Sequence, residues 1–269
     1  MAMRVFMAAR IECIRLGRYP LRAIECCGKR QLQMARPATI PAAEFDAIFS
    51  ARGWLAEQPA AFRSLILEES VQVRVSPGDC LVRRGDRSNG LYGVVAGAVG
   101  IEGGHGRQSQ LLGHVLRAGD WFGIKAIFGG GPRELTYRAI EPTRLLFVDR
   151  PRLMRMTRSD ADIALRVGSL AEIGNRLGSW VARDLLTRDA GRRLAAVLLR
   201  ALGSGDVAPA DPSGFWLTHA QLAEMANLSR HHVGRKLASF EASGWIACGY
   251  NRIRLLDARA LGAFAYADE

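Results

Sequence analysis

Apolar positions along this chain change period from one region to the next. Over residues 71–148 they come in short β-rich runs cut by glycine-centred turns. Val71-Gln72-Val73-Arg74-Val75 runs into Ser76-Pro77-Gly78-Asp79, and Cys80-Leu81-Val82-Arg83 runs into Arg84-Gly85-Asp86. Residues 90–95, 98–101, 114–116 and 145–148 continue the series, with Gly97, the expected hairpin tip Gly103-Gly104-His105-Gly106, and Gly119-Asp120 between them. Many short strands at regular turn spacing predict a β-barrel or jelly roll. Residues 41–69, with Phe45, Ile48, Phe49, Leu55, Phe62, Leu65 and Ile66, predict short helices packed against it. Between 159 and 187 no proline intervenes, and Val167, Leu170, Ile173, Leu177 and Trp180 recur at three- and four-residue steps. That narrow seam predicts a dimerisation helix over 151–187, paired in parallel across a two-fold axis; the alternative is one helix packed on its own barrel with Trp180 as core. Leu194, Val197, Leu198 and Leu199 form a further packing stripe, and a Pro/Gly-rich loop over 203–214 follows.

The period sharpens again over 217–256. Thr218 is placed to cap a first helix with Leu222, Met225 and Ala226 on one face, and Asn227-Leu228 makes a turn. Ser229 caps a second helix whose apolar stripe is Val233, Leu237 and Phe240, while Arg230, His231, His232, Arg235 and Lys236 occupy the other face. Gly244 ends that helix, and an extended run turns at Tyr250-Asn251 and returns as Arg252-Ile253-Arg254-Leu255-Leu256. A short helix buried on one side and carrying donors on the other suits the DNA major groove. The pattern predicts a winged helix-turn-helix over 188–269, with Arg252 near the wing tip.

Composition qualifies this reading more than it drives it. The 269 residues suffice for two modest domains, and no run is long and apolar enough for a membrane span. The formal net charge is +11, but residues 1–40 hold eight Lys/Arg against two acids, a net +6 that leaves only +5 for the rest. That segment reads either as a basic arm or as an upstream stretch that is not translated, with Met34 as the start; the second is preferred because organised patterning begins near Pro41. The cysteines Cys13, Cys26, Cys27, Cys80 and Cys248 form neither a disulfide framework nor ordinary iron–sulfur spacing, so no cluster is expected. A cytoplasmic protein is expected. His105, His114, His219, His231 and His232 make no ligand set, and neither a nucleophile–base constellation nor a Walker loop is present, which argues against an enzyme.

The turns Pro77-Gly78-Asp79, Gly85-Asp86, Gly90-Leu91-Tyr92, Gly97 and Gly119-Asp120-Trp121-Phe122-Gly123 resemble the cyclic-nucleotide-binding jelly roll. With the long helix and winged helix after it, the chain over 45–257 is similar to the CRP/FNR family of bacterial transcription regulators. The resemblance implies an α+β architecture: a sensor jelly roll over 41–150, a dimerisation helix over 151–187 and a DNA-binding domain over 188–269. It implies a homodimer on a near-palindromic double-stranded DNA site, with RNA polymerase as a further partner. Arg230 and Arg235 match arginines that contact bases. His231 replaces a common glutamate, so the family's usual half-site is not transferred. His232, Lys236, Thr218 and His219 are assigned to phosphates, the alternative for the histidines being exposed polar side chains. Gly123 and Arg133 match the family's ligand pattern. Ile124 stands where a glutamate would bind the ribose, Glu134 where a small hydroxyl residue follows the arginine, and Gly178-Ser179 where threonine and serine reach the adenine. Arg133 is expected to form an internal ion pair with Glu134 or a neighbour. Binding of cyclic AMP or cyclic GMP in the usual way is therefore not expected, and no cofactor is assigned. The alternative function is a ligand-sensing protein whose winged helix contacts protein.

Overall fold

The alternating runs over 71–148 fold into two facing antiparallel sheets. In the computed structural model, residues 12–15, 42–87, 89–104, 110–128, 131–202 and 214–267 are described. The expectations for His105-Gly106, Met34, Cys26, Cys27 and the 203–213 loop lie outside them. One sheet carries β1 (Glu12–Arg15), β2 (Val71–Val75), β4 (Gly90–Ala96), β7 (Trp121–Phe122) and β9 (Thr143–Asp149) in the order β1-β2-β9-β4-β7. The other carries β3 (Cys80–Val82), β5 (Val99–Gly103), β6 (Leu111–Leu116) and β8 (Thr136–Ala139) in the order β3-β8-β5-β6. Strand β1, from the segment in which the sequence showed no fold pattern, pairs antiparallel with β2, Glu12 opposite Arg74. The turn at Gly97 requires glycine on two counts: its φ is 84°, and a Cβ there would collide with the Pro142 carbonyl.

Inward positions of the two sheets, among them Val71, Val73, Val75, Tyr92, Val94, Leu145 and Phe147, fill the barrel. Outward positions Leu91, Val95, Leu146 and Val148 pack against α1 (Ala42–Ala51) and α2 (Ala60–Glu68) through Phe45, Phe49, Phe62 and Ile66. Trp54 joins this second layer, its ring edge-on to Phe62 at 5.7 Å, and its indole N–H donates to Ser169 Oγ at 3.0 Å.

The expected continuous helix over 151–187 is instead three helices: α4 (Arg150–Ser159), α5 (Ala161–Gly168) and α6 (Leu170–Leu186). Asp160 breaks the first junction. Its backbone is extended (φ −149°, ψ 121°) and its carboxylate accepts the amide of Asp162, an N-cap that competes with helix continuation. At the second junction Ser169 keeps a near-helical backbone (φ −60°, ψ −20°), with its hydroxyl on the Arg166 carbonyl at 2.7 Å. The seam divides accordingly. Val167 and Leu170 are buried in the chain's own second layer, whereas Trp180 is 43% exposed.

Past α6, α7 (Ala190–Leu202) is buried along Leu194, Val197, Leu198 and Leu199. It packs with α8 (His219–Ala226), α9 (Arg230–Ala242) and α10 (Ala258–Ala265) over a small sheet of order β10-β12-β11, formed by β10 (Phe215–Trp216), β11 (Ile246–Gly249) and β12 (Arg252–Leu255). One apolar cluster includes these elements together with Ala98, Leu112 and Val115 of the barrel.

Candidate DNA-reading surface and effector pocket

The helix pair α8–α9 is fixed by local chemistry at each end. Thr218 Oγ1 accepts the Gln221 amide at 3.2 Å while Gln221 Oε1 accepts the Thr218 amide at 2.8 Å, a complete capping box. Asn227 ends α8 in the left-handed region (φ 51°, ψ 56°), and Ser229 Oγ accepts the His232 amide at 3.2 Å to start α9. Val233, Leu237 and Phe240 are buried, so the geometry turns Arg230, His231 and Arg235 outward, all three exposed. His219, also exposed, lies close to Gly234, where the helices approach within reach of a single side chain.

Three expected donors sit differently. His232 is half-buried, with Nε2 enclosed and without a hydrogen-bond partner among the described residues. The Lys236 ammonium leans to the start of α7, where a Cβ on Gly191 would meet it at 3.2 Å. There it helps hold Asp189 below the usual carboxylate range, after the larger effect of the Arg192 amide bonded to that carboxylate. Arg252 is not a free wing-tip cation: its guanidinium donates to the Gly214 carbonyl at 2.8 Å and lies 5.5 Å from the Trp216 ring centroid. The wing tip is Tyr250, 90% exposed, with Asn251 at φ 54° closing the turn and Arg254 exposed on β12.

In the barrel, Gly123 (φ 108°) passes so close to β4 that a Cβ would collide with the Gly90 carbonyl oxygen, and α3 (Lys125–Phe128) begins just beyond. Arg133 is only 4% exposed. Its backbone is pinned to the 85–86 turn, Gly85 donating to its carbonyl and its amide donating to the Asp86 carbonyl, both at 2.8 Å. Its Nη2 donates to the Gly90 carbonyl at 3.2 Å and to Asn89 Oδ1 at 3.4 Å, while Nε is buried without a partner among the described residues. Burial lowers its pKa against the opposing influence of Tyr92, Tyr137 and Asp86. Beside it the rings of Tyr92, Phe122 and Tyr137 form a stacked column, with centroid spacings of 5.1 and 4.6 Å.

The expected Arg133–Glu134 ion pair does not form. Glu134 is exposed, in the bend that precedes β8, and pairs with Lys125 at 2.9 Å, while the Arg133 side chain is buried. Ile124 packs with the second layer. Ser179 lies on the exposed face of α6 with its hydroxyl on the Asn175 carbonyl, so within one chain it does not join the Arg133 cluster.

Comparison with known proteins bears directly on these two surfaces. A family model described as the cyclic nucleotide-binding domain matches residues 72–160, and one described as the Crp-like helix-turn-helix domain matches residues 192–264. The cyclic AMP receptor protein of Thermus thermophilus is 29% identical over 199 residues, covering 72% of this chain and 88% of its own. The CRP-like cAMP-activated global transcriptional regulator of Mycobacterium tuberculosis is 26% identical over 213 residues, 76% of this chain and 92% of its own. This chain belongs to the CRP/FNR family. Among solved structures, FixK2 from Bradyrhizobium japonicum shares the fold at a TM-score of 0.63 and 20% identity, over 74% of this chain and 99% of that one. A CRP-family transcriptional regulator from Thermus thermophilus aligns at 0.56 and 25% identity, over 71% and 95%.

For a CRP/FNR chain, several structural residues had escaped sequence reasoning. Arg117, His114, Asp184 and Arg200 are all buried or nearly so and meet between barrel, α6 and α7. Their partners lie up to 99 residues away in sequence, and no local pattern marks them.

Proposed function

We propose that this protein is a homodimeric, sequence-specific DNA-binding transcription regulator, not an enzyme, whose barrel does not take a cyclic nucleotide in the usual way. The observation that carries the DNA assignment is the exposed row Arg230, His231 and Arg235 on a capped helix whose opposite face is buried in Val233, Leu237 and Phe240. Arginines so presented suit bidentate contact with guanine in the major groove. Dimerisation is assigned to the outer part of α6, where Trp180 is exposed and Leu177 half-buried. A two-fold dimer presents two reading helices to one face of the duplex, hence a near-palindromic site. A cytoplasmic location and contact with RNA polymerase complete the reading.

The altered sensor rests on three features. Ile124 offers no acceptor to a ribose hydroxyl, and such a loss costs about 1–3 kcal/mol. Glu134 sets a carboxylate at the rim, paired with Lys125. The Tyr92–Phe122–Tyr137 column occupies barrel space beside the buried Arg133. Selection of bound duplexes from a random pool tests the DNA assignment, with a two-fold symmetric motif expected; failure to enrich any duplex favours a protein-binding winged helix instead. Titration calorimetry with cyclic AMP and cyclic GMP should give no heat of binding, and micromolar affinity for either would refute the sensor reading.

A further inference from the structure

In the four-stranded sheet β6 is an edge strand, and edge strands present unpaired backbone groups that must be covered. Here the DNA-reading unit covers it. The Leu112 amide donates to Glu224 Oε2 of α8 at 2.9 Å, and Leu112 and Val115 are buried in the same apolar cluster as Leu194, Leu222 and Met225.

Two arginines cross this boundary in opposite directions. Arg117, at the end of β6, reaches from the barrel into the reading unit. Its Nε donates to the Ala201 carbonyl at 3.3 Å, near the C-terminus of α7, and its Nη2 to the Trp216 carbonyl at 3.4 Å. Its guanidinium lies 4.7 Å from the Phe215 ring centroid, and Glu141 of the barrel balances its charge at 3.1 Å. Arg200 reaches back from α7. Its Nε meets Asp184 of α6 at 2.7 Å, and its Nη1 donates to the Gly113 carbonyl at 3.1 Å and lies 2.9 Å from His114 Nδ1. The Asp184 and Arg200 side chains are 1% and 5% exposed. One guanidinium therefore joins all three parts: barrel, connecting helix and reading unit.

Such a joint restricts rotation of α7 about the 187–189 link. In a dimer this matters, because adding one base pair between half-sites shifts the second by about 3.4 Å and turns it by about 35° around the duplex axis. A freely hinged reader follows that change, whereas a clamped one does not. We propose that Arg117 and Arg200 are positioning residues for DNA recognition, which fix the half-site spacing the dimer accepts by clamping the winged helix to the edge of the barrel and to α6. This rests on the dimeric DNA-reading function above.

The test uses the full chain and duplexes carrying two selected half-sites with spacers of varied length. The wild type should enrich one spacing about tenfold over those one base pair shorter or longer. Arg117→Gln and Arg200→Lys should flatten that preference while leaving the bases chosen inside each half-site unchanged. Arg200→Lys keeps the charge beside Asp184 but loses the fork that serves Gly113 and His114. Glu224→Ala alters an exposed side chain and removes only the acceptor for Leu112; it should flatten the profile in the same direction, to a smaller extent. A purely structural role would lower binding equally at every spacing, and that result overturns the proposal. A wild-type spacing profile in folded arginine variants also overturns it. If those variants do not fold, an unchanged profile in Glu224→Ala does so. Wild type that enriches no duplex defeats the DNA-reading function itself, so the two failures are distinct.

Discussion

At the scale of single residues, the winged helix separates into polar side chains that are exposed and ones that are already engaged. Arg230, His231 and Arg235 are exposed on the outer face of α9. Arg252 and Lys236 are drawn to Gly214 and to the start of α7. Replacing Arg235 by alanine should thus relax base preference at one position of each half-site, by about 1–3 kcal/mol, with the other positions retained. Selected-site sequencing of the variant checks this; an unchanged motif would place Arg235 on the backbone or in solvent. Arg252→Ala should instead lower stability, since it removes a bond to Gly214 and the contact with Trp216, and thermal unfolding reads that effect.

At the scale of elements, caps decide where helices begin and end. The α8–α9 turn needs both the Thr218 capping box and the left-handed Asn227. Thr218→Ala should cost about 1 kcal/mol of unfolding free energy. Asn227→Val places a β-branched residue at φ 51° and should cost about as much or more, while Asn227→Gly should be nearly neutral. Denaturant titration of the three variants gives the order directly, and equal loss in the valine and glycine variants would remove backbone conformation as the cause. Capping also explains the first break in the misread helix. Its apolar period runs through Asp160, but the Asp160 backbone is extended and its carboxylate caps a new helix. Hydrophobic period reports which residues share a face; it does not report where polar side chains capture the backbone.

For the whole molecule, the joint between domains ties stability to pH. His114 is buried on β6 against Arg200 of α7, with Arg117 and Arg52 nearby and Asp184 beyond Arg200. Burial, reinforced by those three arginines, pushes its pKa down from 6.5 to about 3. The neutral ring with Nδ1 as acceptor is the form that fits the Arg200 guanidinium. Below pH 6.5 the unfolded chain takes up a proton that the folded chain refuses, so stability falls with falling pH, by up to about 1.4 kcal/mol per unit, until the folded form also protonates near pH 3. Unfolding free energies at pH 7 and pH 5 should differ more in the wild type than in His114→Gln, whose amide oxygen can still accept from Arg200. Equal slopes in the two proteins would show that His114 is not the titrating group.

Much of this architecture was legible without coordinates. Glycine-punctuated strands, the helix-turn-helix caps and the wing are local, since each depends on residues within one turn or one hairpin. The Ile124 and Glu134 departures were legible too, being matters of residue type at a known position. Where Glu134 points was not, because Lys125 lies nine residues away across a loop. Nor were the aromatic column, the division of the α5–α6 seam or the crossing of Arg117 and Arg200. These depend on which strand lies at the edge of the sheet and which helix covers it. Sequence by itself determined the parts and their chemistry, through periodicity, capping and turn geometry. Only the tertiary structure decided which charges stay exposed and which hold the domains together, because burial and pairing between distant residues arise when the layers pack.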